Sequence, residues 1–271
     1  RSGHSVALSA DGRRLAVGSS APPPTFTPSP PALPPPAPPA PPSPPAPPPF
    51  HLTLKEYALE QDLTDDLYTA TSDDYGYAVA ISADGTTVAV GGPGVDGDIE
   101  NFPAYSAGRL RVFRKSGTGW EAMGHIDGAQ DHSGALGRSV ALSADGLRIV
   151  VAAFYEQNDG RVHVYAYNAG SAEWLLEGET LQGAGGDAQD RFGLAVAMSD
   201  DGTRVAVGSY APSTASGLPN NGGVSVREWN GTDWNRMGQY IDGESVGDQS
   251  GRSVSLSGDG IILAVGEPNA G

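Results

Sequence analysis

One ten-residue motif recurs along the chain and constrains its fold more than any other feature. The clearest copy occupies residues 137–146 and reads GRSVALSADG, and an apolar run at residues 149–151 follows it. The other copies begin at Gly3, Gly76, Gly193 and Gly251. Measured between their Asp-Gly pairs, the last four copies are spaced by 61, 56 and 58 residues. Such regular spacing predicts an architecture built from repeats of about 60 residues.

Each copy of the motif has the pattern of a β-hairpin. In the second copy, Val79 and Ile81 alternate with small or polar residues, which is the two-residue period of a half-buried strand. The same alternation resumes at Val88, after the pair Asp84-Gly85, and an Asp-Gly pair supplies the positive φ values that a tight turn needs. We name the two strands A and B. The aspartates that we interpret as turn residues rather than ligands are Asp11, Asp84, Asp145, Asp201 and Asp259.

Within residues 50–271, a second pair of strands, named C and D, precedes each hairpin. Strand C is an apolar stretch, and strand D begins at a tryptophan that is followed four residues later by glycine. In the first copy Tyr57 takes the tryptophan position. Large aromatic side chains dominate the buried area of a core. We therefore interpret the tryptophans as packing residues between repeats rather than as a sugar platform; they are Trp120, Trp174 and Trp234.

These strand pairs predict an all-β fold. Residues 50–271 divide into four C–D–A–B units, and the approximate bounds of the units are 50–93, 94–153, 154–210 and 211–271. Four-stranded units that repeat radially make a β-propeller, which we predict here, and a stacked solenoid is the alternative.

A proline tract at residues 22–49 interrupts the repeats and holds 18 of the 23 prolines. This composition predicts an extended polyproline II rod, which separates a single A–B hairpin at residues 1–21 from the repeats at residues 50–271. A stiff rod does not easily leave and re-enter one four-stranded unit. We therefore predict that hairpin 1–21 belongs to a different propeller and completes the sheets of a neighbouring copy by strand donation.

Charge and composition exclude several classes of partner and site. The formal net charge is −16, whereas nucleic acids and anionic membranes both require a basic protein surface. No apolar run approaches the length of about 18 residues that a membrane span needs. The absence of cysteine removes disulfides, thiolate metal sites and cysteine nucleophiles. The chain opens at Arg1 within a motif copy, so we interpret it as a processed product or part of a longer chain.

Few residues are candidates for chemistry. The five histidines form no metal-binding spacing, and no nucleophile, metalloprotease or phosphate-loop motif occurs, so we predict no catalytic residues, no enzyme activity and no resident cofactor. Two acidic loops could hold Ca²⁺ together with backbone carbonyls, although a solvated loop is the simpler interpretation. The weak calcium candidates are Asp96, Asp98, Glu100, Glu156 and Asp159. Three further acids precede the motif glycine by three residues and are interpreted as turn caps: Asp73, Asp190 and Asp248.

Several short sequences in the repeats resemble those of a known family. Phe192-Gly193 is a literal Phe-Gly pair, Tyr75-Gly76 is close to one, and residues 91–93 stand where that family has Gly-Ala-Pro. The units resemble the FG-GAP repeats of integrin-α-type β-propellers. This resemblance implies an extracellular propeller that functions in adhesion or ligand binding.

Calcium in the hairpin is a property of that family which this chain does not match. The family often binds calcium through an aspartate-rich hairpin loop. Here Ala80 and Ser82 stand before Asp84-Gly85 where that loop has acidic residues, and the other copies share this departure. We therefore expect no calcium in the hairpins.

Two kinds of glycosylation site are predicted. Asn230-Gly231-Thr232 forms the one N-glycosylation sequon, at an Asn-Gly turn. The proline tract resembles the hydroxyproline-rich glycoproteins of green algal and plant walls, which implies hydroxylation of prolines and O-linked glycans. An unmodified spacer and a ligand for SH3-like domains are the alternatives. The residues proposed for O-linked modification are Ser29, Pro30, Pro31, Ser43, Pro44 and Pro45.

Three functions are compatible with these features. The first is a non-enzymatic structural glycoprotein, extracellular or on the cell surface, in which propellers joined by glycosylated rods self-associate into a filament, wall or matrix. The second is a propeller adhesin or lectin that binds a protein or glycan on its loop face, through aromatic residues such as Phe154, Tyr155 or Tyr210. The third is a propeller enzyme that acts on polysaccharide. The absence of an evident set of catalytic residues in the sequence argues against it.

Overall fold

The computed structural model describes residues 73–95, 106–129, 134–183, 191–209 and 220–269, together with Leu63 and the backbone of residues 2–8 and 15–19. The predicted polyproline rod lies outside these residues. Apart from one 3-10 turn at Glu156–Asn158, the regular structure consists of strands. The strands are β1 (Ser2–Leu8), β2 (Leu15–Ser19), β3 (Ala78–Ile81), β4 (Thr87–Gly92), β5 (Arg109–Ser116), β6 (Gly119–Asp127), β7 (Leu136–Leu142), β8 (Arg148–Ala153), β9 (Arg161–Asn168), β10 (Glu173–Leu176), β11 (Ala195–Met198), β12 (Arg204–Ser209), β13 (Gly223–Trp229), β14 (Trp234–Asp242), β15 (Ser253–Leu256) and β16 (Leu263–Gly266).

The strands form three antiparallel sheets of four strands and two hairpins. The first sheet contains β3–β6, the second β7–β10 and the third β11–β14, each in chain order, and the hairpins are β1–β2 and β15–β16. Each A–B hairpin thus pairs with the C–D pair that follows it, because strand B hydrogen-bonds to the next strand along the chain, as in the pair Ala153↔Arg161. The predicted C–D–A–B grouping is therefore out of phase, and its bounds at residues 93, 153 and 210 fall between strands B and C.

Consecutive sheets stack with their A strands side by side. Strand β3 lies against β7, β7 against β11, and β11 against β15. Backbone hydrogen bonds join successive hairpin turns: Ala83 N–H donates to the carbonyl of Ala144 (3.1 Å), and Ala144 N–H donates to that of Asp200 (2.8 Å). Asp200 N–H continues the series to Gly258 (2.8 Å). Four-stranded sheets stacked in this way are the blades of a β-propeller, as predicted.

Hairpin β1–β2 lies on the same stack of sheets. Its strands pair in register, with Val6 opposite Val17, and both strands contact β3. This position is that of a blade preceding the first sheet. The predicted membership of hairpin 1–21 in a different propeller is therefore wrong for this chain, because its A strand packs on the next A strand as every later copy does.

The core fills the spaces between consecutive sheets. Strand β8 lies at its centre, and residues 149–153 are fully buried because sheets cover both faces of the strand. Side chains at Ile149 and Val151 pack towards the first sheet, and Val150 packs towards the third. Strand B therefore appears in the sequence as a continuous apolar run, whereas the half-buried A strands β3 and β11 alternate between buried and partly exposed residues.

Two of the three tryptophans of strand D, Trp174 and Trp234, pack between sheets, as predicted. Trp174 packs on the cluster shared by the first and second sheets, where it faces Gly124 of β6. Trp234 is buried between the second and third sheets, and its indole N–H donates to the carbonyl of Glu177 (2.9 Å). Trp120 packs on the apolar cluster of the first sheet. These contacts join the outer parts of consecutive blades.

Candidate functional site on the loop face

The recurring aspartates are turn residues. Ser82 Oγ donates to the Asp84 carboxylate (2.6 Å), which also accepts the N–H of Thr86 (2.9 Å). The same pair of contacts recurs in the other described copies, at Asp145, Asp201 and Asp259. Partial burial alone would raise the pKa of Asp84, but the hydrogen bonds from Ser82 and Thr86 outweigh it and lower the pKa. These carboxylates therefore accept hydrogen bonds within their own turns. The fifth aspartate, Asp11, lies outside the described residues.

One of the three predicted cap residues is seen capping a turn through its side chain. Asp248 is buried, and its carboxylate accepts the N–H of Ser245 (2.7 Å). Asp73 is also buried and its carbonyl accepts the N–H of Gly94 (3.1 Å), whereas Asp190 lies outside the described residues.

The two described calcium candidates are paired with protein cations or donors. The Glu156 carboxylate lies 2.8 Å from Nε2 of His163, and Asp159 forms an ion pair with Arg161. All four side chains are buried. No group of three or more His, Asp or Glu side chains in the described ranges is placed to hold a metal ion. The other candidates, Asp96, Asp98 and Glu100, lie outside the described residues.

His163, on strand β9, has a hydrogen-bond partner at each ring nitrogen. Its Nδ1 lies 3.3 Å from the hydroxyl of Thr180, so the imidazole bridges that hydroxyl and the Glu156 carboxylate. Burial, with the nearby Glu156 charge, raises the pKa of Tyr165 to about 12. This network ties the loop at residues 154–160 to strand β9 from within.

The loop at residues 154–160 joins strands B and C of the second sheet and has a tightly specified backbone. Gln157 and Asn158 have positive φ values of 54° and 68°. Gly160 also has a positive φ, of 86°, and a side chain there would overlap the backbone of Phe192. The loop thus packs closely on the segment that leads into strand β11.

An arginine–aromatic cluster lies beside this loop. We give this name to Tyr77, Arg138, Phe154, Tyr155 and Arg191. The Arg138 guanidinium carbon lies 4.4 Å from the ring centroid of Phe154 and 5.1 Å from that of Tyr77. The Arg191 guanidinium carbon lies 5.9 Å from the Phe154 centroid. Tyr155 packs edge-to-face on Phe154, with 4.9 Å between centroids, and is 45% exposed.

Arg138 differs from most other arginines of the chain. Within the described residues its guanidinium has no hydrogen-bond or ion-pair partner, whereas Arg148 and Arg204 each pair with a glutamate. The sequence had suggested Phe154 and Tyr155 as ligand contacts, and Tyr210 lies outside the described residues. It had not suggested Tyr77 or Arg138. A signal was present, because the residue after each motif glycine varies while the motif around it is regular: His4, Tyr77, Arg138, Leu194 and Arg252.

The N-glycosylation sequon lies at an exposed turn between β13 and β14. The side-chain oxygen of Asn230 accepts the N–H of Thr232 (2.8 Å), the hydroxyl of Thr232 (2.9 Å) and the N–H of Asp233 (2.9 Å). This arrangement is an Asx-turn, which directs the side-chain amide nitrogen away from the backbone. The residues proposed for O-linked modification lie outside the described residues.

Comparison with solved structures finds chains of similar fold. No family model matches the chain, and no curated protein matches it. The fold is similar to that of a Bacteroides uniformis protein for which 6-phosphogluconolactonase activity has been suggested, with 14% sequence identity and a TM-score of 0.42. The alignment covers 69% of this chain and 46% of that protein, so the chain spans about half the length of the structure it matches. A likeness this distant does not bear on function.

A search of the described residues for membrane spans found no helix long and apolar enough to cross a bilayer.

Proposed function

We propose that the protein is a non-enzymatic, extracellular structural glycoprotein. In this proposal, propellers joined by glycosylated polyproline rods associate into a surface filament or a cell-wall or matrix assembly. The observation that carries the proposal is the position of Asn230 in an exposed turn at the outer edge of the third sheet. Its side-chain oxygen is engaged by Thr232 and Asp233, which leaves the amide nitrogen directed towards solvent for glycan attachment.

The use of polar residues by the fold supports a structural role. The recurring serines and aspartates satisfy their own hairpin turns, and the Glu156–His163 pair is buried inside a loop. An enzyme needs an acid, base or nucleophile that reaches substrate. These side chains therefore favour a scaffold over a catalyst.

Mass spectrometry of the native protein tests this proposal. We expect the peptide containing Asn230 to carry an N-linked glycan, and peptides from residues 22–49 to carry added hydroxyl and pentose or hexose masses. Unmodified masses at both places, in protein recovered from its native source, would contradict the glycoprotein proposal and would favour a plain spacer between propellers.

A second candidate function is that of an adhesin or lectin with its ligand on the loop face. The arginine–aromatic cluster favours this candidate, because it combines an exposed aromatic ring with the Arg138 guanidinium, which has no hydrogen-bond or ion-pair partner among the described residues. The two functions are compatible, since a matrix protein can also bind a matrix glycan.

A further inference from the structure

We infer that the arginine–aromatic cluster binds the carboxylate of an acidic saccharide. This inference rests on the second candidate function and names its ligand class. It does not depend on whether the protein is itself glycosylated.

The cluster is assembled by the repeat architecture. Tyr77 and Arg138 occupy the same place in consecutive motif copies, directly after the motif glycine, where strand A begins. Because β3 and β7 lie side by side, the two side chains meet, and the guanidinium stacks on the tyrosine ring. Phe154, at the end of strand B of the second sheet, supplies the second ring. The site therefore lies at the inner edge of the blades, on the loop face.

Arg138 is oriented for an anion before any ligand arrives. Contacts with two rings restrict the plane of its guanidinium, and within the described residues none of its N–H groups has a partner. A planar guanidinium can donate two parallel hydrogen bonds to a carboxylate, which adds geometric specificity as well as energy. Restriction by the rings lowers the entropic cost of forming those bonds.

The charge of the protein makes this positive position unusual. Acidic residues outnumber lysine and arginine by 16, so most of the surface repels anions. Arg191 also contacts the Phe154 ring, so a second arginine lies at this cluster. The positive charge of Arg138 attracts an anionic ligand.

The exposed tyrosine selects the kind of anion. Tyr155 packs edge-to-face on Phe154, the ring that Arg138 contacts, and presents nearly half of its surface to solvent. Its ring offers an apolar face with a polar hydroxyl at the end, which suits the C–H and O–H groups of a pyranose. A uronic acid combines such a ring with a carboxylate, whereas inorganic phosphate lacks the ring and an acidic peptide lacks the pyranose.

Isothermal titration calorimetry of the purified, unglycosylated chain tests the inference with four probes. A galacturonic acid trimer should bind, and the neutral galactose trimer should bind at least tenfold more weakly. Raising NaCl from 50 to 500 mM should weaken binding of the acidic trimer, because exposed charges are screened. Equal affinity for the two trimers, or tighter binding of inorganic phosphate or of an aspartate tetrapeptide, would overturn the inference.

Matched variants locate the site. Arg138→Ala should weaken binding of the acidic trimer roughly 10- to 100-fold, as loss of charged hydrogen bonds does, and Arg138→Lys should retain part of it. Arg252 occupies the same motif position in the last hairpin, where it contacts Gln249, so Arg252→Ala controls for loss of one positive charge. Wild-type affinity in a folded Arg138→Ala protein, or an equal loss in Arg252→Ala, would overturn the assignment.

The glycoprotein proposal fails separately. A protein that binds galacturonate but carries no glycans in its native source would retain the binding site and lose the glycoprotein role. A glycosylated protein that binds neither trimer would show the reverse.

Discussion

The hairpin turns and the loop face of the second sheet use polar residues in opposite ways. In the turns, each aspartate accepts a serine hydroxyl and a backbone N–H from its own motif, so its carboxylate is engaged within the turn. On the loop face, Arg138 lies between two rings and its donors have no partner among the described residues. The turn contacts recur in every described copy, whereas the cluster occurs once. Recurrence therefore marks residues that hold the fold, and an unsatisfied residue that occurs once marks a candidate site.

The largest effect is expected where the motif brings two backbones together. A side chain at Gly91 would overlap the carbonyl oxygen of Gly137 in the next sheet, so Gly91→Ala should cost about 3 kcal/mol in the free energy of unfolding. Urea denaturation measures this value. Gly117→Ala is the matched control, because its position has open space and only the positive φ is unfavourable, at a cost of about 1 kcal/mol. Equal losses in the two variants would show that the blades do not meet as closely as described.

A smaller loss is expected in the turns themselves. Asp145→Ala removes the acceptor of the Ser143 hydroxyl and of the Leu147 N–H, which should destabilise the protein by about 1–2 kcal/mol. Affinity for the galacturonic acid trimer should not change, because this turn lies at the other end of strand β7 from Arg138. A loss of affinity without a loss of stability would show that the turn contributes to binding and not to holding the fold, which contradicts this prediction.

Arg138→Ala should show the opposite pattern. It removes contacts with two rings but no hydrogen bond or ion pair among the described residues, so the free energy of unfolding should fall by about 0.5–1 kcal/mol. Binding of the acidic trimer should be weakened roughly 10- to 100-fold in the same sample. Destabilisation of more than about 2 kcal/mol would indicate that Arg138 holds the blades together and is not kept for a ligand.

The sequence predicted the repeated hairpins of this molecule better than it predicted the arginine–aromatic cluster, which occurs once among the described residues. Hairpins follow from a two-residue period around Asp-Gly, and both signals are local. The pairing of strands was predicted out of phase because periodicity locates strands such as β8 and β9 but does not state which neighbours share hydrogen bonds. The cluster joins Tyr77, Arg138 and Phe154, which come together only through the stacking of sheets. Its aromatic residues at 154 and 155 were suggested as ligand contacts, but no local signal connects them with Arg138.

The smallest effect is a dependence of stability on acid pH that belongs to the turns. Partial burial acts to raise the pKa values of Asp84 and Asp201, but hydrogen bonds from the neighbouring serine and threonine lower both below the ordinary value of 3.8. A carboxyl whose pKa is lower in the folded state contributes stability that is complete above its unfolded pKa and is lost as the pH falls through the folded pKa. The loss should therefore begin near pH 4 and continue below the ordinary value of 3.8.

The double variant Asp84→Asn/Asp201→Asn should be less stable than the wild type at pH 7, and the difference should shrink between pH 5 and pH 3. Both carboxylates are largely exposed, so solvent screening keeps the difference small. Thermal unfolding followed by circular dichroism measures it, with Glu121→Gln, at an exposed position of β6, as the control. A difference that stays constant over this range would mean that the turns need the shape of the aspartate and not its charge. In that case the negative charge of these aspartates would contribute nothing to the stability of the hairpins. The turns would then resemble the arginine–aromatic cluster, where the charge of Arg138 does not stabilise the fold.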